Sequence, residues 1–170
     1  MLIRRLTPSD APTYRALMLD AYSAHPEAFS STSHERANKS LGWWQARVSD
    51  ALHPQSMVLG AFDRNGQLCG VAGVSFKNQE KTRHKATLFG LYVVANHRRK
   101  GLAQQLVEQA QLLARQRGGI RLMQLTVSET SPAAIALYRR CGFEQFGIEP
   151  MAIALDDHYV SKLHMSCLLA

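Results

Sequence analysis

At 170 residues with 46% hydrophobic content, the chain has the length and composition of one globular domain with a single sizeable core. No apolar run approaches the length that spans a bilayer, and the N-terminus lacks the pattern of a signal peptide. A formal net charge of +7 favours anionic partners, while three unclustered cysteines (Cys69, Cys141, Cys167) and scattered histidines argue against disulfides and a metal site and fit a reducing cytoplasm.

In chain order, residues 2–6 predict a strand, and Thr7-Pro8-Ser9-Asp10 carries helix-start chemistry with either Thr7 or Asp10 as the cap. Tyr14, Leu17, Met18 and Ala21 mark one face of a helix ending near His25-Pro26. Residues 27–33 read as a loop, with Ser33 as the cap of a second helix. That helix should bury Ala37, Leu41, Trp44, Val48 and Ala51. Strands follow at 57–62 and 67–76, joined through the hairpin signal Asn65-Gly66. Residues 77–85 form a polar loop with five basic residues, counting His84.

The run 86–94 (Ala-Thr-Leu-Phe-Gly-Leu-Tyr-Val-Val) is almost wholly apolar, the pattern of a strand buried on both faces. A helix follows over 102–114, with Leu102, Leu106, Val107, Ala110, Leu113 and Ala114 on one face and Gly118-Gly119 as its stop. A strand at 122–127, a short helix from Ser131-Pro132 through Arg140, and strands at 143–148 and 159–168 complete the chain. Pro150 and Asp156-Asp157 lie in the loop between the last two strands. The order βααβββαβαββ is mixed α/β, with antiparallel hairpins early and a parallel pair in the middle.

Between the central apolar strand and the long helix stands Asn96-His-Arg-Arg-Lys-Gly101. A helix start presents amides without intrahelical partners and a partial positive charge; with three cationic side chains around it, and a glycine that permits close approach, it reads as a phosphate cradle. It is neither a P-loop nor a dinucleotide loop, since both glycine patterns are absent.

Arg98-Arg-Lys-Gly101-Leu-Ala103 resembles the acetyl-CoA pyrophosphate loop of the GCN5-related N-acetyltransferases. Downstream, Ser131-Pro-Ala-Ala-Ile-Ala-Leu-Tyr-Arg-Arg-Cys-Gly-Phe143 resembles the family's Asn-x-x-Ala-x-x-Leu-Tyr-x-x-x-Gly-Phe segment, and the likeness extends over nearly the whole chain. It implies a single domain with a twisted, mostly antiparallel sheet whose fourth and fifth strands splay apart to admit the cofactor.

By that resemblance the Arg98 side chain and the amides of Arg99, Lys100, Gly101, Leu102 and Ala103 hold the pyrophosphate. The backbone of Leu91, Tyr92 and Val93 pairs with the pantetheine arm as an added strand would. Tyr138 takes the position of the general acid that protonates the departing thiolate. Ser131 stands where the family often carries an Asn, and before Pro132 it reads equally as a helix cap. The Glu that many relatives carry on the fourth strand is missing. His84, Glu129, Glu27 and Glu35 are the candidate bases, and a neutral incoming amine is the alternative.

The expected function is transfer of an acetyl group from acetyl-CoA to a primary amine of a small molecule or protein, with no metal. A non-catalytic acyl-CoA-binding or sensing module is the alternative. Nucleic acid is disfavoured because the 77–85 loop has no base-stacking aromatics. A membrane partner is not expected, and the sequence leaves monomer and homodimer open. Loop acids Asp156, Asp157, Glu27 and Glu35 are weighed as attractors of a cationic acceptor.

Overall fold

The computed structural model describes residues 1–52 and 54–169. Its frame is one seven-stranded sheet in the order β1-β2-β3-β4-β5-β7-β6. The strands are β1 (Leu2–Arg5), β2 (Ser56–Phe62), β3 (Leu68–Phe76), β4 (Lys85–Val93), β5 (Leu122–Ser128), β6 (Glu144–Ala154) and β7 (Tyr159–Leu168). Among the described residues, only the β4–β5 pair is parallel.

Helices α1 (Ala11–Ala24), α2 (Ser33–Ala37) and α3 (Leu41–Arg47) cover one face; α4 (Leu102–Gln116) and α5 (Pro132–Arg140) cover the other. Two cores result. Tyr14, Met18, Trp44 and Val48 pack with Val58 and Val71 on the first face. Leu106, Val107, Ala110, Met123 and Met165 pack together on the second.

The segment expected as one second helix is two. Thr32, one residue before the expected Ser33, caps α2: its Oγ1 accepts from the Glu35 amide (3.1 Å), and the Glu35 carboxylate accepts from the Thr32 amide (2.8 Å). Ser40 then caps α3 by accepting from the Trp43 amide (3.2 Å). Two caps so close together break the apolar period. Trp44 and Val48 are fully buried, whereas Ala37, Leu41 and Ala51 are exposed. The element order is therefore βαααβββαβαββ, one helix more than expected.

β6 is also longer than the expected 143–148. It runs on through Pro150, with an irregularity between Glu149 and Ile153 and a positive φ of 52° at Met151. An edge strand tolerates this, because proline's missing donor leaves no ladder bond broken.

The decisive departure lies at β4. β4 and β5 pair only over Lys85–Leu122, Ala86–Met123 and Thr87–Gln124. Beyond Thr87 the two strands diverge. On β4's other edge, Val71 faces Tyr92 and Gly73 faces Phe89, so two β4 residues, Gly90 and Leu91, stand opposite the single Ala72. This is a β-bulge, and the extra residue bends the strand. Gly90 takes φ 62°, a left-handed conformation that glycine adopts without a Cβ clash. Gly73 serves the same segment differently: a Cβ there would lie 2.4 Å from the Phe89 ring. Phe89 through Tyr92 are consequently half-buried, not buried on both faces as the apolar run suggests.

Candidate active site

The divergence of β4 from β5 opens a cleft of about 530 Å³. Thr87 to Leu91 form one wall, Gln124 to Ser128 the other, and Ser131, Ala134 and Tyr138 of α5 close one side. Tyr14, Met18 and Tyr22 of α1, with the loop to α2, close the opposite side. The opening thus lies within the plane of the sheet and is lined from both faces.

At the same end of the sheet, β4 runs through a single 3-10 turn (Ala95–His97) into α4. Gly101, at φ 76°, is the residue before the helix, and a Cβ there would meet nothing within 4 Å. The first bond of the helix runs from the Gln105 amide to the Gly101 carbonyl (3.1 Å). The amides of Leu102, Ala103 and Gln104 therefore precede the ladder and carry the partial positive charge of the helix start.

The side chains expected at this cradle are partly engaged. Arg98 Nε donates to the Val93 carbonyl (2.8 Å), and its guanidinium lies 5.5 Å from the Tyr92 ring centre and 3.0 Å from His25 Nε2. Lys100 Nζ donates to the Asn96 carbonyl (2.9 Å), and Arg99 is exposed at φ 60°. Leu102 is buried in the α4 core and Ala103 is half-buried. Of the three β4 residues, Leu91 lines the cleft; Tyr92 turns to the α1 face, and Val93 packs into the α4 core.

Tyr138 reaches the cleft from α5, its ring edge-on to Phe143 at 5.9 Å. Burial, with a smaller contribution from Cys141, pushes its phenol well above the ordinary range, so it stays protonated. Ser131 occupies the N-cap position of α5, but its side chain makes no capping bond and lines the cleft instead.

The expected bases are not brought to this place. His84 lies at the paired end of β4, where its carbonyl accepts from the Arg121 amide (2.8 Å) and its side chain borders a separate depression with Arg117 and Gly118. His84 therefore stands away from the cleft, because the strands diverge at their other end. Glu129 does stand at the splayed end, yet its carboxylate accepts from the Ser161 amide (2.8 Å), which lowers its pKa. Glu27 lies 3.5 Å from His25, and Glu35 is spent on the α2 cap. Asp157 accepts from His158, and both it and Asp156 are exposed.

Arg36, Arg47, Lys162 and His164 do line the cleft, and sequence reasoning missed all four. Lys162 is buried on β7 and donates to Ser30 Oγ (2.8 Å); burial lowers its pKa. His164 shares a hydrogen bond with Glu149 (3.1 Å) and lies edge-on to Phe146. One signal was present: Lys162 sits at an inward position of an alternating strand, in step with the buried Val160.

The site thus combines a splayed parallel pair, a helix start at its end and a buried phenol in its wall. The sequence model of the acetyltransferase (GNAT) family matches residues 15–143. The chain belongs to this family.

One relative, the L-methionine sulfoximine/L-methionine sulfone acetyltransferase of Pseudomonas paraeruginosa, is 29% identical over 149 residues, covering 87% of this chain and 83% of its own. Among solved structures, the ribosomal-protein-alanine N-acetyltransferase of Brucella melitensis is 28% identical, with a TM-score of 0.79 over 99% of this chain and 100% of its own. The phosphinothricin acetyltransferase of Sinorhizobium meliloti, a GNAT protein in complex with acetyl-CoA, shares the fold at a TM-score of 0.83 and 20% identity, over 99% of this chain and 88% of its own. Membership makes this chain an N-acetyltransferase of the GNAT type.

Proposed function

We propose that the protein transfers the acetyl group of acetyl-CoA to a primary amine, with the thioester in the cleft between β4 and β5. The observation that carries this reading is the early end of the β4–β5 ladder at Thr87, which leaves strand edges unpaired at the end of the sheet where β4 leads into α4. The Leu102–Gln104 amides would hold the pyrophosphate, helped by Arg99 and by the donors left free on Arg98 and Lys100. The unpaired edge of β4 at Leu91 would hold the pantetheine arm as a neighbouring strand does. Because Val93 O already accepts from Arg98, that pairing would end before Val93.

Tyr138 would protonate the thiolate. Burial keeps its proton in place at neutral pH and also makes it a weak acid. The proton would therefore move as the C–S bond breaks, not ahead of it. A carboxylate base is not needed if the amine enters neutral, and no carboxylate lines the cleft among the described residues.

Thiol release from acetyl-CoA, followed across a panel of amines with mass detection of the N-acetyl product, tests the reading. Stoichiometric thiol and acetylated amine are expected. Acetyl-CoA binding without turnover of any amine would favour a sensing module instead. The three cysteines are free thiols, which fits the cytoplasmic setting we propose. The relatives' names do not choose the acceptor: one names an amino-acid derivative and another a ribosomal-protein alanine.

A further inference from the structure

The walls of the cleft carry charge of one sign. Arg36, Arg47 and Lys162 line it, and no Asp or Glu does among the described residues. Arg36 lies in the last turn of α2 and Arg47 ends α3, so both belong to the face opposite Tyr138. Their guanidinium groups converge on one indole: Arg36 Cζ is 4.8 Å and Arg47 Cζ 4.5 Å from the Trp43 ring centre. Arg47 is also 5.6 Å from the Phe89 ring, on the β4 segment that borders the bulge. Both Nε atoms are buried without an acceptor, and neither guanidinium has a carboxylate partner among the described residues.

Two like charges held against the same ring repel each other. Cation–π attraction offsets part of that cost, but the planar donor forks, which neighbour the Tyr14 and Tyr22 hydroxyls, still lack a carboxylate among the described residues. An oxyanion between them would meet several donors in a recess bordered by aromatic rings. A polyamine or aminoglycoside would instead bring further positive charge to two arginines that have no carboxylate partner among the described residues. The acids that the sequence suggested as attractors of a cationic acceptor are engaged elsewhere or exposed.

We propose that the acceptor is a small primary amine bearing a carboxylate, of the amino-acid class. Arg36 and Arg47 hold the carboxylate, and the amine meets the thioester beside Gly90 and Leu91 from the face opposite Tyr138. The apolar wall of Met18, Phe29 and Phe89 suits an uncharged side chain. This inference rests on the N-acetyltransferase reading above.

The test compares kcat/KM for L-leucine, L-methionine and L-phenylalanine with that for their primary amides and for spermidine, with acetyl-CoA affinity measured by calorimetry. Free amino acids should exceed their amides by about tenfold or more, mostly through KM. Arg36→Gln and Arg47→Gln should each collapse that ratio; a variant that merely loses structure lowers both substrates together and leaves the ratio unchanged. Amides or spermidine acetylated as well as the acids, or a ratio that survives both substitutions, would overturn the proposal while N-acetyl transfer stands. A wild-type protein that does not bind acetyl-CoA would overturn both.

Discussion

The Tyr138 hydroxyl is the one atom whose removal separates chemistry from packing. Tyr138→Phe keeps the edge-on contact with Phe143 and removes only the proton donor. If the phenol serves the departing thiolate, turnover should fall roughly 100- to 10,000-fold while acetyl-CoA affinity changes little. An unchanged rate with the true acceptor would return Tyr138 to the core.

At the start of the chain a different pair governs stability. Arg4 donates twice to Asp10, at 2.8 Å each, and the Thr7 amide donates to the same carboxylate (2.8 Å). The Arg4 hydrogen bonds lead in lowering the Asp10 carboxyl from 3.8 to about 2. A depressed folded-state pKa contributes stability above the unfolded value, and that contribution is lost as pH falls from 3.8 through about 2. With Arg4 40% exposed, screening reduces the effect to about 1 kcal/mol. Asp10→Asn should therefore lower thermal stability at pH 6 and far less at pH 2, as read by calorimetric melting at both values; equal losses at both would refute the linkage.

Among the elements, the start of α4 is the most exposed to a charge test. Gly101→Asp places a Cβ at φ 76° and a carboxylate in the open space before three free amides. The variant should fold, because nothing lies within 4 Å of the new Cβ, and it should lose acetyl-CoA binding by about 100-fold or more through anion repulsion and backbone strain. Retained affinity in a folded variant, measured by calorimetry, would remove the cradle from this helix. The loop between α1 and α2 has a comparable anchor in Lys162, whose bond to Ser30 ties it to β7 across the cleft. That tie joins positions 132 residues apart, so no local pattern could announce it.

Over the whole molecule, the excess of positive charge acts on the incoming amine. A protonated amine entering beside Arg36, Arg47 and Lys162 is disfavoured, and its pKa falls in their field. The acid limb of the pH–kcat profile should accordingly lie below the amine's solution pKa. It should also survive His84→Gln, Glu129→Gln and His164→Gln, with kcat in each variant within about threefold of the parent. Loss of the limb in His164→Gln, the variant of the cleft's own imidazole, would assign the proton to that side chain.

The sequence by itself determined the strands other than the full length of β6, and α4, because apolar period, glycine stops and the Asn65-Gly66 turn are local signals, each read within one element. The two motifs around Gly101 and Tyr138 were legible for the same reason: each is a contiguous run at one strand–helix junction or on one short helix. What the tertiary structure alone decided was where the β4–β5 ladder ends and what faces the opening. Strand composition is the same for a packed neighbour and for a cleft wall, so the apolar run could not reveal the splay after Thr87. His84 and Glu129 looked equivalent because each borders one of the two strands, yet divergence at only one end leaves His84 at the closed side and bonds Glu129 to Ser161. Arg36 and Arg47 meet at Trp43 because α2 and α3 both pack against α1, and convergence of side chains from separate elements leaves no spacing to read.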